Sequence, residues 1–252
     1  MSTYFWEIEN KELVVLPSLS FDTHELQSVP GISHYEERLL YVLLALKTEK
    51  TRIIYITSCP LDTGIIEYYI SLLPPHVQKT ASSKIRFLSL CDTNTSTSLA
   101  EKVFTRPRFL TRLKSLIQNP TICSLMILRG THYENEIAKA LDIPMYSAKP
   151  KDQVHGSKAG SRALFQLLNI PCADGTFSGC SQIEDLIQEI LSVIKRNPLA
   201  EKGVVKLLDG FSGKGNAIVD LSNIQNAIAL NESSAVLSEI MLHSLKEMEF
   251  CC

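Results

Sequence analysis

The residues best suited to chemistry are gathered in one run, Lys206 to Asp220, which reads Lys-Leu-Leu-Asp-Gly-Phe-Ser-Gly-Lys-Gly-Asn-Ala-Ile-Val-Asp. An apolar strand from Gly203 to Leu208 enters a glycine-rich, lysine-bearing loop, and a second strand, Asn216 to Leu221, leaves it. Glycines permit positive φ and let several backbone N–H groups converge on an anion, while a lysine ammonium supplies the opposing charge. The chemistry on offer is phosphate binding. Gly210 and Gly213 stand too close together for Walker A spacing, and Gly215 follows Lys214 where that motif needs Ser or Thr, so a P-loop is excluded. The order G-x-x-G-x-G, followed by a strand, also fails the dinucleotide fingerprint G-x-G-x-x-G, which opens a helix. Two readings stay open on these residues alone: a plain glycine-rich hairpin turn, or a flap over nucleotide phosphates.

The elements that must position this loop follow from the pattern of apolar residues. Leu13 to Leu16 form a first buried strand ending at Pro17, and Glu36 to Leu46 carries leucines and valines at helical recurrence. Arg52 to Thr57 is a β-branched second strand. Asp62 is placed to cap a helix from Gly64 to Leu73, which Pro74-Pro75 stop. The rhythm continues with a strand at Lys84 to Leu90, a helix at Pro107 to Ile117, a strand at Thr121 to Leu128, a helix at Glu134 to Leu141 and a short strand at Ile143 to Tyr146. Such alternation implies a doubly wound, mostly parallel sheet with helices on both faces, because parallel strands need crossovers. Ligands of such sheets bind beyond the carboxyl ends of the strands, where Ser18, Ser20, Thr57, Ser58, Asp92, Thr93, Arg129 and Thr131 fall. Any one of them also reads as an ordinary solvated loop residue.

After Lys149-Pro150 the alternation stops, which puts a boundary near residue 150. Helices over Gly156 to Asn169 and Ile183 to Ile194 precede the strand, loop and strand of the glycine-rich run. A polar link and an amphipathic helix, Ser234 to Met248, close the chain.

The 252 residues are 45% hydrophobic and carry a net charge of −2 with no basic tract, which argues against nucleic acid or an anionic membrane as partner. Met1 to Asn10 lacks the pattern of a signal peptide, and no apolar run approaches bilayer length, so a cytoplasmic location is expected. Seven cysteines are scattered without a C-x-x-C pair, and the terminal Cys251-Cys252 is not a prenylation box. They read as buried thiols with no metal or disulfide role.

Lys158 opens a helix closing at Ile170-Pro171, and about fifty residues later Val204-Val205-Lys206 leads into the glycine-rich loop. This combination resembles the amino-terminal half of an ATP-grasp domain. Upstream, Leu16-Pro17-Ser18-Leu19-Ser20-Phe21, Gly31 with His34-Tyr35-Glu36-Glu37-Arg38, Ile54-Tyr55-Ile56-Thr57-Ser58, Tyr68-Tyr69-Ile70-Ser71-Leu72-Leu73-Pro74, and Arg106-Pro107-Arg108 resemble the pre-ATP-grasp domain of pheganomycin-type peptide ligases and the IQ-motif-containing protein H-like group. Gly156-Ser157-Lys158-Ala159-Gly160-Ser161-Arg162 is similar to the junction of those two domains.

The resemblance implies a Rossmann-like pre-ATP-grasp domain over residues 1–150 and a partial ATP-grasp amino-terminal lobe over 151–252. It implies that Lys158 and Lys206 bind ATP phosphates and that Gly210, Ser212, Gly213, Lys214 and Gly215 form the flap above them, with Arg162 one helical turn from Lys158 on the same face. The family reaction joins a carboxylate to an amine through an acyl phosphate and uses Mg²⁺. In the family the adenine hinge and the Glu and Asn ligands for Mg²⁺ belong to a carboxyl-terminal lobe, and this sequence reaches Cys252 without it or any IQ motif. Glu232, Glu239, Glu247 and Glu249 lack the strand context to replace those ligands. The expectation is therefore an ATP-binding fragment, inactive alone, that acts on carboxylate and amine substrates only when completed by that lobe. The alternative is a non-catalytic binding or scaffold module with a weak or lost nucleotide site. A Rossmann oxidoreductase is disfavoured, since no G-x-G-x-x-G follows the first strand. The apolar stripe of the last helix, left uncovered, suggests self-association.

Overall fold

The structure is a computed structural model that describes residues 11–20, 26–27, 30–48, 50–148, 150–208, 215–230, 236, 239–240 and 243. The chain divides into two compact units, Met1–Pro150 and Lys151–Cys252.

The first unit is built on five strands: β1 (Glu12–Leu16), β2 (Arg52–Thr57), β3 (Ile85–Ser89), β4 (Cys123–Ile127) and β5 (Met145–Tyr146). They lie in the order β3-β2-β1-β4-β5, and every pairing is parallel. This is the Rossmann-like α/β arrangement, in which the chain winds outward from β1 in one direction and then in the other. All five residues of β1 are buried, as a central strand covered on both faces requires. Alternation divides them between the faces. Leu13 and Val15, with Ile53 and Tyr55, pack against a 3₁₀ segment at Leu40–Lys47 and the helices α1 (Thr63–Ser71) and α2 (Pro75–Lys84). Val14 and Leu16, with Ile54 and Ile56, pack against α3 (Leu99–Phe104), α4 (Pro107–Leu116) and α5 (His132–Leu141).

Several local expectations are corrected. The segment Glu36 to Leu46 is not one α-helix but two 3₁₀ segments, Ile32–Glu37 and Leu40–Lys47. Leu40, Leu43 and Leu46 are all buried, and a spacing of three aligns side chains along a helix of three residues per turn. Pro74 ends α1 as expected, but Pro75 then opens α2 at a position where a missing N–H costs nothing. The polar run after β3 gives way to α3, capped by Ser98, whose Oγ accepts from Glu101 N at 3.2 Å. Asp62 caps α1 as its type and place suggest, accepting from Gly64 N at 2.7 Å. Of the cysteines among the described residues, Cys123 in β4 is buried as expected, but Cys59 is only half-buried and Cys91, Cys172 and Cys180 are exposed, because they fall in loops.

The second unit contains α6 (Lys158–Leu167), α7 (Ile183–Arg196), an antiparallel pair β6 (Lys202–Lys206) and β7 (Asn216–Asp220), and α8 (Ser222–Ala229) where a polar link was expected. One face of the hairpin is packed: Val219 and Leu221 meet Ile187, Ile190 and Ile194 of α7 and Ile224 of α8. The expected closing helix lies mostly outside the described residues; within them, Ile240 packs against this core. Among the described residues no helix is long and apolar enough to cross a membrane.

Candidate functional site

In the second unit, Ser157 caps α6. Its Oγ accepts from Gly160 N at 3.0 Å and donates to Val154 O at 2.7 Å, folding the preceding 3₁₀ turn (Pro150–Gly156) back on the helix. Gly160 is the only residue type that fits there: a Cβ would lie 1.8 Å from the Val154 carbonyl oxygen. This cap fixes Lys158 in the first turn, and its Nζ donates to Leu207 O at 2.7 Å. Leu207 in turn closes the hairpin, donating its N–H to Gly215 O at 2.7 Å. Gly215 takes φ +75°, the left-handed region that favours glycine. Lys206 pairs with Asn216 at the end of the ladder and is exposed, since Gly203 and Val205 turn to the core side and Lys202, Val204 and Lys206 turn away.

The structure therefore brings Lys158, Lys206 and Gly215 to the mouth of one hairpin. Gly210, Ser212, Gly213 and Lys214 lie outside the described residues. Arg162 is directed elsewhere: its Nε donates to Thr176 O at 2.6 Å, its Nη2 to Ala173 O at 2.7 Å, and its guanidinium lies 5.2 Å from the centre of the Phe177 ring. It braces the 173–177 loop. The Lys158 ammonium at a glycine-bearing turn, with the exposed Lys206 at the adjoining strand end, suits a polyanion. Among the described residues no group of three or more His, Cys, Asp and Glu side chains is placed to hold a metal ion.

The first unit presents a second arrangement. In a sheet of this order the crevice between the carboxyl ends of β1 and β4 is the usual ligand position. Here protein groups fill it. Glu134, fully buried at the start of α5, accepts from Thr131 N at 2.8 Å and from the hydroxyls of Thr131 and Ser20. Ser20 Oγ meets Ser18 Oγ at 2.8 Å, and Ser18 Oγ accepts from Ala100 N at 2.9 Å. Three of the loop residues that sequence singled out, Ser18, Ser20 and Thr131, are thus committed to one internal network.

The open space lies on the other side of β1, beyond the ends of β1, β2 and β3, where a cavity of about 300 Å³ is found. Leu19, Leu26, Ile32 and Leu99 give it an apolar side; Glu36, Ser58, Asp92 and Lys102 give it a charged one. Tyr55 anchors the first element, donating its hydroxyl to Glu36 O at 2.6 Å from within the core. Ser58 joins the charges: its N–H donates to Glu36 Oε2 at 2.5 Å, and its Oγ accepts from Lys102 Nζ at 3.0 Å. The Lys102 ammonium, nearly buried, also donates to Asp92 O at 3.0 Å. Burial raises the Glu36 carboxyl above its ordinary range, opposed by the Ser58 hydrogen bonds and the Lys102 charge. Asp92 is held below the usual range chiefly by its hydrogen bond from Arg106. Sequence reasoning reached Ser58, Asp92 and Thr93 here but missed Glu36 and Lys102. Glu36 read as the polar start of a helix, and Lys102 sits on a helix hidden behind a loop-like run of Thr, Asn and Ser.

No protein-family model matches the chain. Among curated proteins, it is similar to the IQ motif-containing protein H of Danio rerio, with 22% identity over 233 residues, covering 86% of this chain and 22% of that protein's length. The chain spans about a fifth of the relative it matches.

Proposed function

We propose that the second unit carries the phosphate-facing part of an ATP site of the ATP-grasp type, within a larger carboxylate–amine ligase whose first unit is the pre-ATP-grasp domain. The observation that carries this reading is the Lys158 Nζ to Leu207 O bond of 2.7 Å, which sets that ammonium at the mouth of the hairpin one residue from Lys206. In the reaction a substrate carboxylate attacks the γ-phosphorus of ATP and ADP leaves. An amine then attacks the acyl-phosphate carbon and inorganic phosphate leaves. Both steps move negative charge, which lysines and backbone N–H groups stabilise by position. Mg²⁺ would supply further charge neutralisation, held by the Glu and Asn ligands that the resemblance assigns to a carboxyl-terminal lobe.

The test is a titration of the full chain with a non-hydrolysable ATP analogue, comparing wild type with Lys206→Ala. An exposed ammonium about 4 Å from a phosphate oxygen contributes about 1 kcal/mol or more, so binding weakens at least about fivefold. Identical titrations would remove the phosphate-site reading. One observation favours a second reading, a binding module with a lost nucleotide site: Lys158 already donates to a protein carbonyl. That reading expects the two titrations to coincide. Neither reading expects ligase turnover from this chain alone, and ADP release dependent on an amino acid or peptide acceptor would sink both.

A further inference from the structure

We infer that the cavity at the carboxyl ends of β1, β2 and β3 is a binding site for a small zwitterion with an apolar body, a free α-amino acid. The inference stands on the first unit alone and is independent of the nucleotide reading.

The wall decides the ligand class. Glu36 and Lys102 are held side by side by Ser58, one giving the cavity an anionic acceptor and the other a cationic donor. Asp92 is paired with Arg106 at 2.5 Å and lies 3.7 Å from the Lys102 ammonium, so the four charges balance. A dianion such as phosphate would meet two carboxylates for each ammonium on the lining. A hydrocarbon would strip water from both charges and offer nothing in return. An uncharged polar molecule would leave the Glu36 carboxylate in the partly buried setting that already disfavours its charge. A zwitterion answers all three: its ammonium faces Glu36, its carboxylate faces Lys102, and its side chain lies on Leu19, Leu26, Ile32 and Leu99. The volume of about 300 Å³ is at the small end of ligand pockets, which suits one amino acid rather than a peptide.

The site is also held in shape before any ligand arrives. The segment over the cavity is folded by its own side chains: Asn94 N donates to Asp92 Oδ1 and Ser96 N to Asn94 Oδ1, each at 2.9 Å. Lys102 ties the start of that segment to β2 through Asp92 O and Ser58 Oγ. On this charged side, little ordering is left for binding to impose.

Cys59 lines the same cavity and is half-buried, so its alkylation rate reports occupancy. The experiment treats the full chain with iodoacetamide in the presence of L-leucine and follows each cysteine by peptide mass mapping. Leucine in the millimolar range or below is expected to slow Cys59 saturably, with Cys172 and Cys180 in the second unit unchanged. 4-Methylpentanoate, which lacks the ammonium, and 3-methylbutylamine, which lacks the carboxylate, each need at least about tenfold more for the same protection, the loss expected for one charge-assisted hydrogen bond. Glu36→Gln, nearly isosteric, weakens leucine about tenfold while leaving 4-methylpentanoate nearly unaffected. Absence of leucine protection overturns the site. Equal protection by leucine and either half-analogue overturns the zwitterion assignment, and because that comparison uses the wild-type chain it does not depend on any variant folding.

Discussion

Replacing Glu134 by alanine tests whether the crevice between β1 and β4 is a structural plug. The carboxylate is fully buried, accepts the Thr131 N–H at 2.8 Å, and takes the hydroxyls of Thr131 and Ser20. Hydrogen bonds to an ionised acceptor contribute about 1.5–3 kcal/mol each, and donors left buried without partners carry their own desolvation cost. Ser18 is fully buried and Ser20 nearly so, which limits rescue by solvent to the water that the truncated side chain admits. The bond from Thr131 N–H is also Glu134's half of the α5 capping box, so its loss frays the helix start without adding a separate contribution. Allowing for relaxation, the expected loss is about 3–5 kcal/mol, the range for removing one partner from a buried charged network. Hydrogen exchange reads the first unit separately from the second: amides of β1 and α5 that exchange by global opening speed up by about a hundredfold to several thousandfold. Glu134→Gln, which keeps one acceptor for Thr131 N–H, falls between wild type and alanine. Acceleration below about tenfold in the alanine variant would refute the reasoning and show that water replaces the carboxylate without difficulty.

Three further outcomes follow from other parts of the structure. The Glu36 carboxyl is raised above its ordinary value by burial, so its folded-state penalty is absent below the unfolded value and grows as pH rises through the folded one. Glu36→Gln therefore gains stability relative to wild type between acid and neutral pH, measured as the difference in urea midpoints; a difference constant with pH contradicts the assignment. Glu12 Oε2 accepts the N–H groups of Gln118 and Asn119 at 2.9 Å each from a buried position, so Glu12→Ala lowers the unfolding free energy of the first unit by about 2–3 kcal/mol, and a loss under about 0.5 kcal/mol counts against it. Gly160→Ala drives a methyl into the Val154 carbonyl, which is backbone and cannot swing aside, so exchange in the first turns of α6 rises and ATP-analogue binding falls with it; unchanged exchange there would mean that the 3₁₀ turn moves without cost.

The fold was readable wherever a buried strand left an uninterrupted apolar run. Leu13 to Leu16 and Ile53 to Ile56 have no polar face to disguise them, because both sides of the central sheet are covered. Helices were readable when their start carried a signal independent of the apolar pattern, as with Asp62 before α1 and Pro107 opening α4. They were missed where local and tertiary signals disagreed. Pro75 looks like a stop and is a start, and α2 offers only Val77 and Ala81 as buried residues, too few to show a stripe. The leucines after Glu36 recur closely enough to imitate an α-helix, and the buried set of Leu40, Val42, Leu43 and Leu46 suits either helix type.

For the sites, the limit is that sequence shows which residues a loop contains but not which already have partners. Ser18, Ser20 and Thr131 have the types and the strand-end positions of ligand-binding residues, yet they converge on Glu134, a residue that reads as an ordinary helix-capping acid. With that crevice filled, open space moves across β1 to where Glu36 and Lys102 meet over Ser58, from segments 66 residues apart. Such a pairing depends on parallel crossovers and leaves no short motif. Lys158 and Lys206 differ in this respect. Lys158 is oriented by a local cap, Ser157 with Gly160, and Lys206 by the hairpin register, so each has a short-range signal, although the bond from Lys158 to Leu207 that joins the helix to the hairpin is itself a tertiary contact. Comparing the two substitutions Lys206→Ala and Glu36→Gln in both ligand assays separates the sites. Loss of nucleotide binding in the first with leucine protection intact, and the reverse in the second, is the result expected of two sites, one in each compact unit.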